Sequence, residues 1–198
     1  MEGCIDLNTI YLAVSIKNKY MIKTLITCSI MIAVICLISV SCTNAKVYEN
    51  GYLVQVGDEA PDFLIKEVDG EEYMLSDLRG NVVMLQFTAS WCSVCRKEMP
   101  YIEGEIWQEK KDDNLKLIGI DRDEPPETIK KFGNEVGITY PMALDPGAGI
   151  FSQYAEKDAG VTRNVIIDRN GKIIFLTRLF EREEFDEMKD IIFNELGK

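Results

Sequence analysis

The sequence predicts an α/β domain built on a mixed central sheet, and three observations predict it. Two largely apolar runs, residues 82–88, uncharged throughout, and 115–120, read as buried strands, so helices must cover the sheet on each side. Each run is followed by a segment with helical patterning, and alternation of strand and helix implies parallel pairing. Later, Asn170-Gly171 separates two further apolar runs, a strong signal for a hairpin and hence for an antiparallel edge.

The elements follow in order. Residues 62–68 and 71–75 flank Asp69-Gly70, an added N-terminal hairpin. Residues 82–88 form the central strand. Residues 93–109 read as a helix with apolar Val94, Ile102, Ile106 and Trp107; Pro100 lies inside it and should kink it. Residues 115–120 are the next buried strand, ending at Asp121. Pro125-Pro126 precede a helix over 127–136, inserted in the middle of the fold, because proline suits a first helical turn; Gly137 fits its C-terminal stop. A short helix is expected over 150–154, strands over 165–167 and 173–177, and a closing amphipathic helix over 183–196 with Phe185, Met188, Ile191, Ile192 and Leu196 on one side.

Composition narrows the function classes. The 198 residues are 46% hydrophobic and 28% charged, which fits a packed core. The net charge of −11 comes with no basic patch, so no nucleic-acid partner is expected. The chain contains no histidine, which excludes Ser-His-Asp and Cys-His hydrolysis and removes the commonest zinc ligand. Of six cysteines, Cys4, Cys28, Cys36 and Cys42 lie near the N-terminus, and only Cys92 and Cys95 fall in the domain. That distribution does not describe a disulfide-stapled scaffold.

Cys92 and Cys95 carry the chemistry. They are separated by two residues at a strand-to-helix junction, the placement of a redox dithiol. The partial positive charge and free N–H groups of a helix N-terminus stabilise a thiolate on the first cysteine. One such pair lacks the further ligands a metal site needs, and Arg96 stands where a c-type haem site requires histidine. No metal and no cofactor beyond the Cys92–Cys95 disulfide is expected.

The N-terminal portion reads as an address. Residues 24–40 are uncharged and largely apolar with Lys23 just before them, short of the roughly 20 residues of a membrane span. Ser39-Val40-Ser41-Cys42 resembles the end of a bacterial lipoprotein signal, with Cys42 the lipidated residue, although Ser39 replaces the usual leucine. The alternative is an uncleaved single-span anchor. Both place the domain outside the cytosol, in a periplasm-like compartment, tethered to a membrane. Met21 reads as the natural start of such a signal. The expected division is an upstream extension and export signal over 1–41, a lipidated cysteine and tether over 42–50, and the folded domain over 51–198.

Four segments resemble, in order, the extracytoplasmic thioredoxin-fold proteins of the TlpA/ResA type. They are Gly57-Asp58-Glu59-Ala60-Pro61-Asp62-Phe63, Leu75-Ser76-Asp77-Leu78-Arg79-Gly80, the stretch from Phe87 through Trp91-Cys92-Ser93-Val94-Cys95 to Pro100, and Ile166-Ile167-Asp168-Arg169-Asn170-Gly171-Lys172-Ile173. The resemblance implies a thioredoxin-like fold and a thiol–disulfide oxidoreductase, preferentially a reductase of protein disulfides fed by a membrane electron donor. It also implies that Glu98 assists proton transfer at the dithiol. Cys92 is then the attacking nucleophile and Cys95 the resolving thiol. Three departures stand out: Thr88 replaces a tryptophan, Ser93-Val94 replaces a proline-containing dipeptide, and Thr162 occupies the position of the cis-proline opposite the dithiol. A non-proline cis bond costs about 2.5–4 kcal/mol, so a trans peptide is expected there. The Thr162 hydroxyl or Arg163 can then face the sulfurs and a substrate, with Arg163 otherwise a solvated charge. Trp91 either shapes the docking surface or packs in the core, and Asp121 reads mainly as a turn residue. Two rival functions remain open: a thiol peroxidase of the peroxiredoxin type, carried by Arg163, and a non-enzymatic thioredoxin-fold binding module, carried by the missing proline.

Overall fold

The computed structural model describes residues 47–198, so the expected export signal and the expected lipidation site Cys42 lie outside the described residues. Strands β1 (Leu64–Lys66) and β2 (Glu72–Met74) form the antiparallel hairpin around Asp69-Gly70, shorter than its sequence signal, with Lys66 paired to Glu72 across it. The main sheet holds β3 (Val82–Thr88), β4 (Leu115–Arg122), β5 (Met142–Asp145), β6 (Arg163–Ile167) and β7 (Ile173–Arg178), in the order β5-β4-β3-β6-β7. β3 pairs parallel with β4 and antiparallel with β6, and the β6–β7 hairpin closes one edge. Every residue of β3 is buried, as an uncharged strand at the centre of a doubly covered sheet requires.

β5 was not expected. It has four residues, too few for alternation to rise above loop background, and follows directly on Pro141. It extends the sheet by parallel pairing with β4, from Gly119↔Met142 to Arg122↔Asp145. Met142 packs its thioether directly over Gly119, where a Cβ would displace it.

The first helix, α1 (Ser93–Ile102), continues through a π-helical turn at Glu103–Trp107 into Gln108–Lys110. Its irregularity has an identifiable cause. Pro100 has no N–H to give the Arg96 carbonyl, and the helix takes up wider pairing just beyond it. α2 (Pro126–Val136) begins at Pro126, whose missing N–H is not needed there, and stops at Gly137 with φ 75. α3 is Phe151–Tyr154, and α4 (Arg182–Leu196) lies against β3 and β7 and buries Phe185, Met188 and Ile192. Phe87 of β3 meets Phe151 and Tyr154 at ring separations of 5.6 and 5.3 Å, and α1 with its continuation fully buries Met99, Ile102 and Ile106. Residues 48–50, expected as the end of the tether, pack on the domain: Tyr48 N–H donates to the Tyr52 carbonyl, and the Asn50 carbonyl accepts from Arg163. Among the described residues, no helix is long and apolar enough to cross a membrane.

Candidate active site

The buried strand β3 delivers the chain through Ala89, Ser90 and Trp91 to the N-terminus of α1. Cys92 is the N-cap residue, and its sulfur accepts the Cys95 N–H at 3.1 Å. The two cysteines form a disulfide with Cα atoms 5.3 Å apart. Cys92 is 8% exposed and Cys95 is 0% exposed, so an incoming sulfur reaches only Cys92. Trp91, beside it, is 65% exposed; core packing is therefore not its role.

The loop opposite has no proline, and among the described residues no peptide is cis, in line with the expectation for Thr162. The Thr162 hydroxyl lies 3.1 Å from the Cys92 sulfur and 3.3 Å from the Cys95 sulfur. Its carbonyl accepts the Leu179 N–H at 3.2 Å, which fixes the loop to the strand edge. A hydroxyl in this place can donate its proton to either sulfur, something proline cannot do.

Glu98 lies one turn beyond Cys95 on the same helix, in the helix interior rather than in its first turn. It is 2% exposed, which rules out an ordinary solvated glutamate. Asn164 of β6 donates to one of its carboxyl oxygens at 2.7 Å. Burial pushes the carboxyl up to about 7, against the smaller opposing effect of the Asn164 and Gln86 amides. The group therefore changes charge near neutral pH, the condition for accepting a proton in one step and returning it in another.

Arg163 requires a correction. It faces neither solvent nor the sulfurs but is fully buried. Its guanidinium donates to the carbonyls of Asn50 at 2.6 Å and Gly160 at 3.0 Å and stacks over the Tyr52 ring at 4.4 Å. These partners replace water at Nε and Nη2, while Nη1 is buried without a hydrogen-bond partner among the described residues, and the side chain is a strut between the N-terminal turn and β6 rather than a substrate contact. Asp121 is also not a turn residue: it lies within β4, fully buried.

Several residues around the dithiol had no sequence assignment. Gln86 and Asn164 face each other in the β3–β6 register, Asn164 holds Glu98, and the Tyr140 hydroxyl donates to Gln86 at 2.7 Å. The available signal was a glutamine inside an otherwise apolar buried strand. Ser90 is held by Glu124, through both its N–H and its hydroxyl at 2.6 Å, and nothing in the local sequence pairs those positions.

The AhpC/TSA family profile matches residues 56–176. The thiol–disulfide oxidoreductase ResA of Bacillus anthracis is 35% identical over 121 residues, spanning 61% of this chain and 68% of that protein. The ResA of Geobacillus thermodenitrificans is 30% identical over 148 residues, 73% of this chain and 83% of that one. Among solved structures, a putative protein disulfide isomerase from Bacteroides thetaiotaomicron is 57% identical with a TM-score of 0.73, covering 75% of this chain and 94% of its own. A putative thiol:disulfide interchange protein DsbE from Chlorobium tepidum is 28% identical with a TM-score of 0.65, covering 73% and 99%. With its mixed sheet, its flanking helices and its Cys92/Cys95 pair, the chain belongs to the AhpC/TSA family and, within it, to the ResA-like thiol–disulfide oxidoreductases of thioredoxin-like fold.

Proposed function

We propose that this protein is a membrane-tethered, extracytoplasmic reductase of protein disulfides. The observation that carries the chemistry is the sulfur of Cys92: it is the more accessible member of the pair, caps α1, and has both an N–H and the Thr162 hydroxyl directed at it. In the reduced enzyme these donors stabilise the Cys92 thiolate. The thiolate attacks one sulfur of a substrate disulfide, forming a Cys92–substrate bond as the substrate's own S–S bond breaks. Cys95 then loses its proton to the Glu98 carboxylate and attacks the Cys92 sulfur, and the Cys92–substrate bond breaks to release the second substrate sulfur as a thiolate. The substrate leaves as a dithiol after taking up protons, and its two electrons have come from the enzyme, which is left as the Cys92–Cys95 disulfide.

The tether and the compartment rest on residues 24–42 of the sequence, and a further cycle requires a thiol donor at the membrane. The peroxidase alternative has lost the residue that carried it, since Arg163 is buried against Asn50 and Tyr52. The test is a redox titration of residues 43–198 followed by tryptophan fluorescence. A potential near or below about −250 mV supports a reductase, and one near about −120 mV makes the protein an oxidant. Failure to form the Cys92–Cys95 disulfide returns the binding-module reading.

A further inference from the structure

Asp121 has no part in the chemistry above, yet it is fully buried at the end of the sheet that carries the dithiol. It lies in register with Thr88, the last residue of β3, four positions before Cys92. No hydrogen-bond donor among the described residues reaches either of its carboxyl oxygens. The charges that act on it are both acidic: Glu124, from the loop between β4 and α2, and Asp145, from β5. Asp145 is satisfied elsewhere, by the N–H groups of Ile150 at 2.7 Å and Phe151 at 2.8 Å. Arg122, next in sequence, is turned toward the Phe151 ring and the carbonyls of Lys157 and Ala159. Among the described residues no cation therefore faces Asp121, and burial followed by repulsion from Glu124 pushes its carboxyl up to about 8.

A buried carboxyl in that setting keeps its proton at neutral pH, and a carboxylic acid has one O–H to donate. With both groups ionised neither Asp121 oxygen has a hydrogen-bond partner among the described residues; Glu124 is the neighbouring carboxyl that acts on Asp121 through both charge and hydrogen bonding, and so is the acceptor available to a protonated Asp121. The Glu124 carboxylate is the group that accepts the Ser90 N–H and the Ser90 hydroxyl, each at 2.6 Å. From the other side the Ser90 carbonyl takes the Arg96 Nε–H at 2.8 Å, and Arg96 is itself held by Glu135 and the Phe132 ring. Ser90, and with it the step to Trp91 and Cys92, is suspended between an acidic clamp and a basic one.

We propose that Asp121, as a carboxylic acid bonded to Glu124, is a positioning residue for the attack by Cys92, because it keeps the Glu124 carboxylate on Ser90 and so sets the pose of Trp91 and Cys92. Ionisation of Asp121 places two like charges together in a buried site, and Glu124 is then driven from Ser90 toward water. The loop ahead of the nucleophile loosens above neutral pH. This device acts on the first step of the reaction. Glu98, on the β6 side of the dithiol, acts on the second.

The proposal rests on Cys92 being the attacking sulfur, and the experiment separates the two. In the full chain carrying Cys95→Ser, the rate of mixed-disulfide formation with 5,5′-dithiobis(2-nitrobenzoate) is followed from pH 6 to 9.5. A Cys92→Ser/Cys95→Ser chain serves as the blank for Cys4, Cys28, Cys36 and Cys42. Corrected for thiolate fraction, the rate falls several-fold across a midpoint near 8, and tryptophan fluorescence changes with the same midpoint. Asp121→Asn, which still has a donor for Glu124 but no titration, keeps the neutral rate and loses the midpoint. Asp121→Leu, which cannot donate, is slower several-fold at every pH. An Asp121→Asn protein that retains the midpoint, or an Asp121→Leu protein as fast as its parent, overturns the proposal while leaving the dithiol mechanism standing. Absence of any mixed disulfide at Cys92 at every pH sinks both.

Discussion

Replacing Glu98 by glutamine changes one proton and almost no volume. The glutamine oxygen can still accept from Asn164, so the buried bond at 2.7 Å survives. What disappears is an ionisable group held at about 7 where 4.5 is ordinary. At about 1.4 kcal/mol per pH unit, that displacement favours the neutral carboxyl by roughly 3 kcal/mol. The sign follows from linkage. A carboxyl whose folded pKa is raised binds more protons in the native state, so its contribution to stability is lost as pH rises from its unfolded value to its folded one. Glu98→Gln should therefore match the parent within about 1 kcal/mol at pH 4, where both side chains are neutral. At pH 8.5 it should be more stable by up to roughly 3 kcal/mol. Urea denaturation of the oxidised protein at the two pH values measures this without interference from the cysteines. The same variant should resolve the Cys92 mixed disulfide about 10²-fold more slowly, the lower end of the range for a lost general base, while the initial attack is unaffected. Equal stability gains at both pH values would show that Glu98 does not titrate near neutrality. Unchanged resolution would show that it takes no proton from Cys95.

Three further outcomes are expected. Thr162→Val removes the hydroxyl near both sulfurs and should raise the Cys92 thiol pKa by about one unit, the scale of one hydrogen bond to a charged atom; thiolate absorbance against pH measures it, and no change would make the contact inert. Arg163→Met leaves the Asn50 and Gly160 carbonyls without their donor and should cost about 2–4 kcal/mol in chemical denaturation, with the redox potential unchanged; a shift in potential instead of stability would return Arg163 to the site. Gly119→Ala forces a methyl group against Met142 and should cost about 1–3 kcal/mol, read as a lower denaturation midpoint, while a neutral effect would mean that the β5 edge repacks freely.

The residues that announce themselves in the sequence are those whose physics is local. β3 was legible because a strand buried on both faces excludes every charge, and the C-terminal stop at Gly137 because a left-handed residue favours glycine. Cys92 and Cys95 were legible because an N-cap residue and the residue three positions on are brought together within a single turn of chain. β5 was not, since its four residues are strand only by virtue of β4 beside them. The same limit separates Glu98 from its setting. Its place after Cys95 marks it, but its burial depends on Asn164, which lies 66 positions away. Arg163 shows the reverse error. Charge argued for solvent or substrate, whereas Tyr52 and Asn50, more than a hundred residues earlier, supply the partners that allow it inside.

These placements bear on how a protein substrate is held. The Thr162 hydroxyl covers both sulfurs, the Thr162 carbonyl is taken by Leu179, and Thr162 itself is 3% exposed. That loop offers a substrate less than an open backbone edge would. Next to Cys92 in the chain stands Trp91, 65% exposed and preceded by Ser90, which Glu124 and Arg96 hold. A large rigid side chain that is exposed, yet mounted on a fixed loop, has the properties of a binding anchor, and such residues typically contribute about 2 kcal/mol or more when they engage a partner. Trp91→Ala should therefore raise KM for a disulfide-bonded protein substrate about 30-fold, by the usual conversion of tenfold per 1.4 kcal/mol. The rate with a small aromatic disulfide, which needs only Cys92, should stay within about 3-fold, since a substrate that never made the remote contact has no binding energy from it to lose. If both substrates slow equally, the tryptophan orients Cys92 rather than the partner, and recognition must be sought along the Thr162 and Leu179 edge.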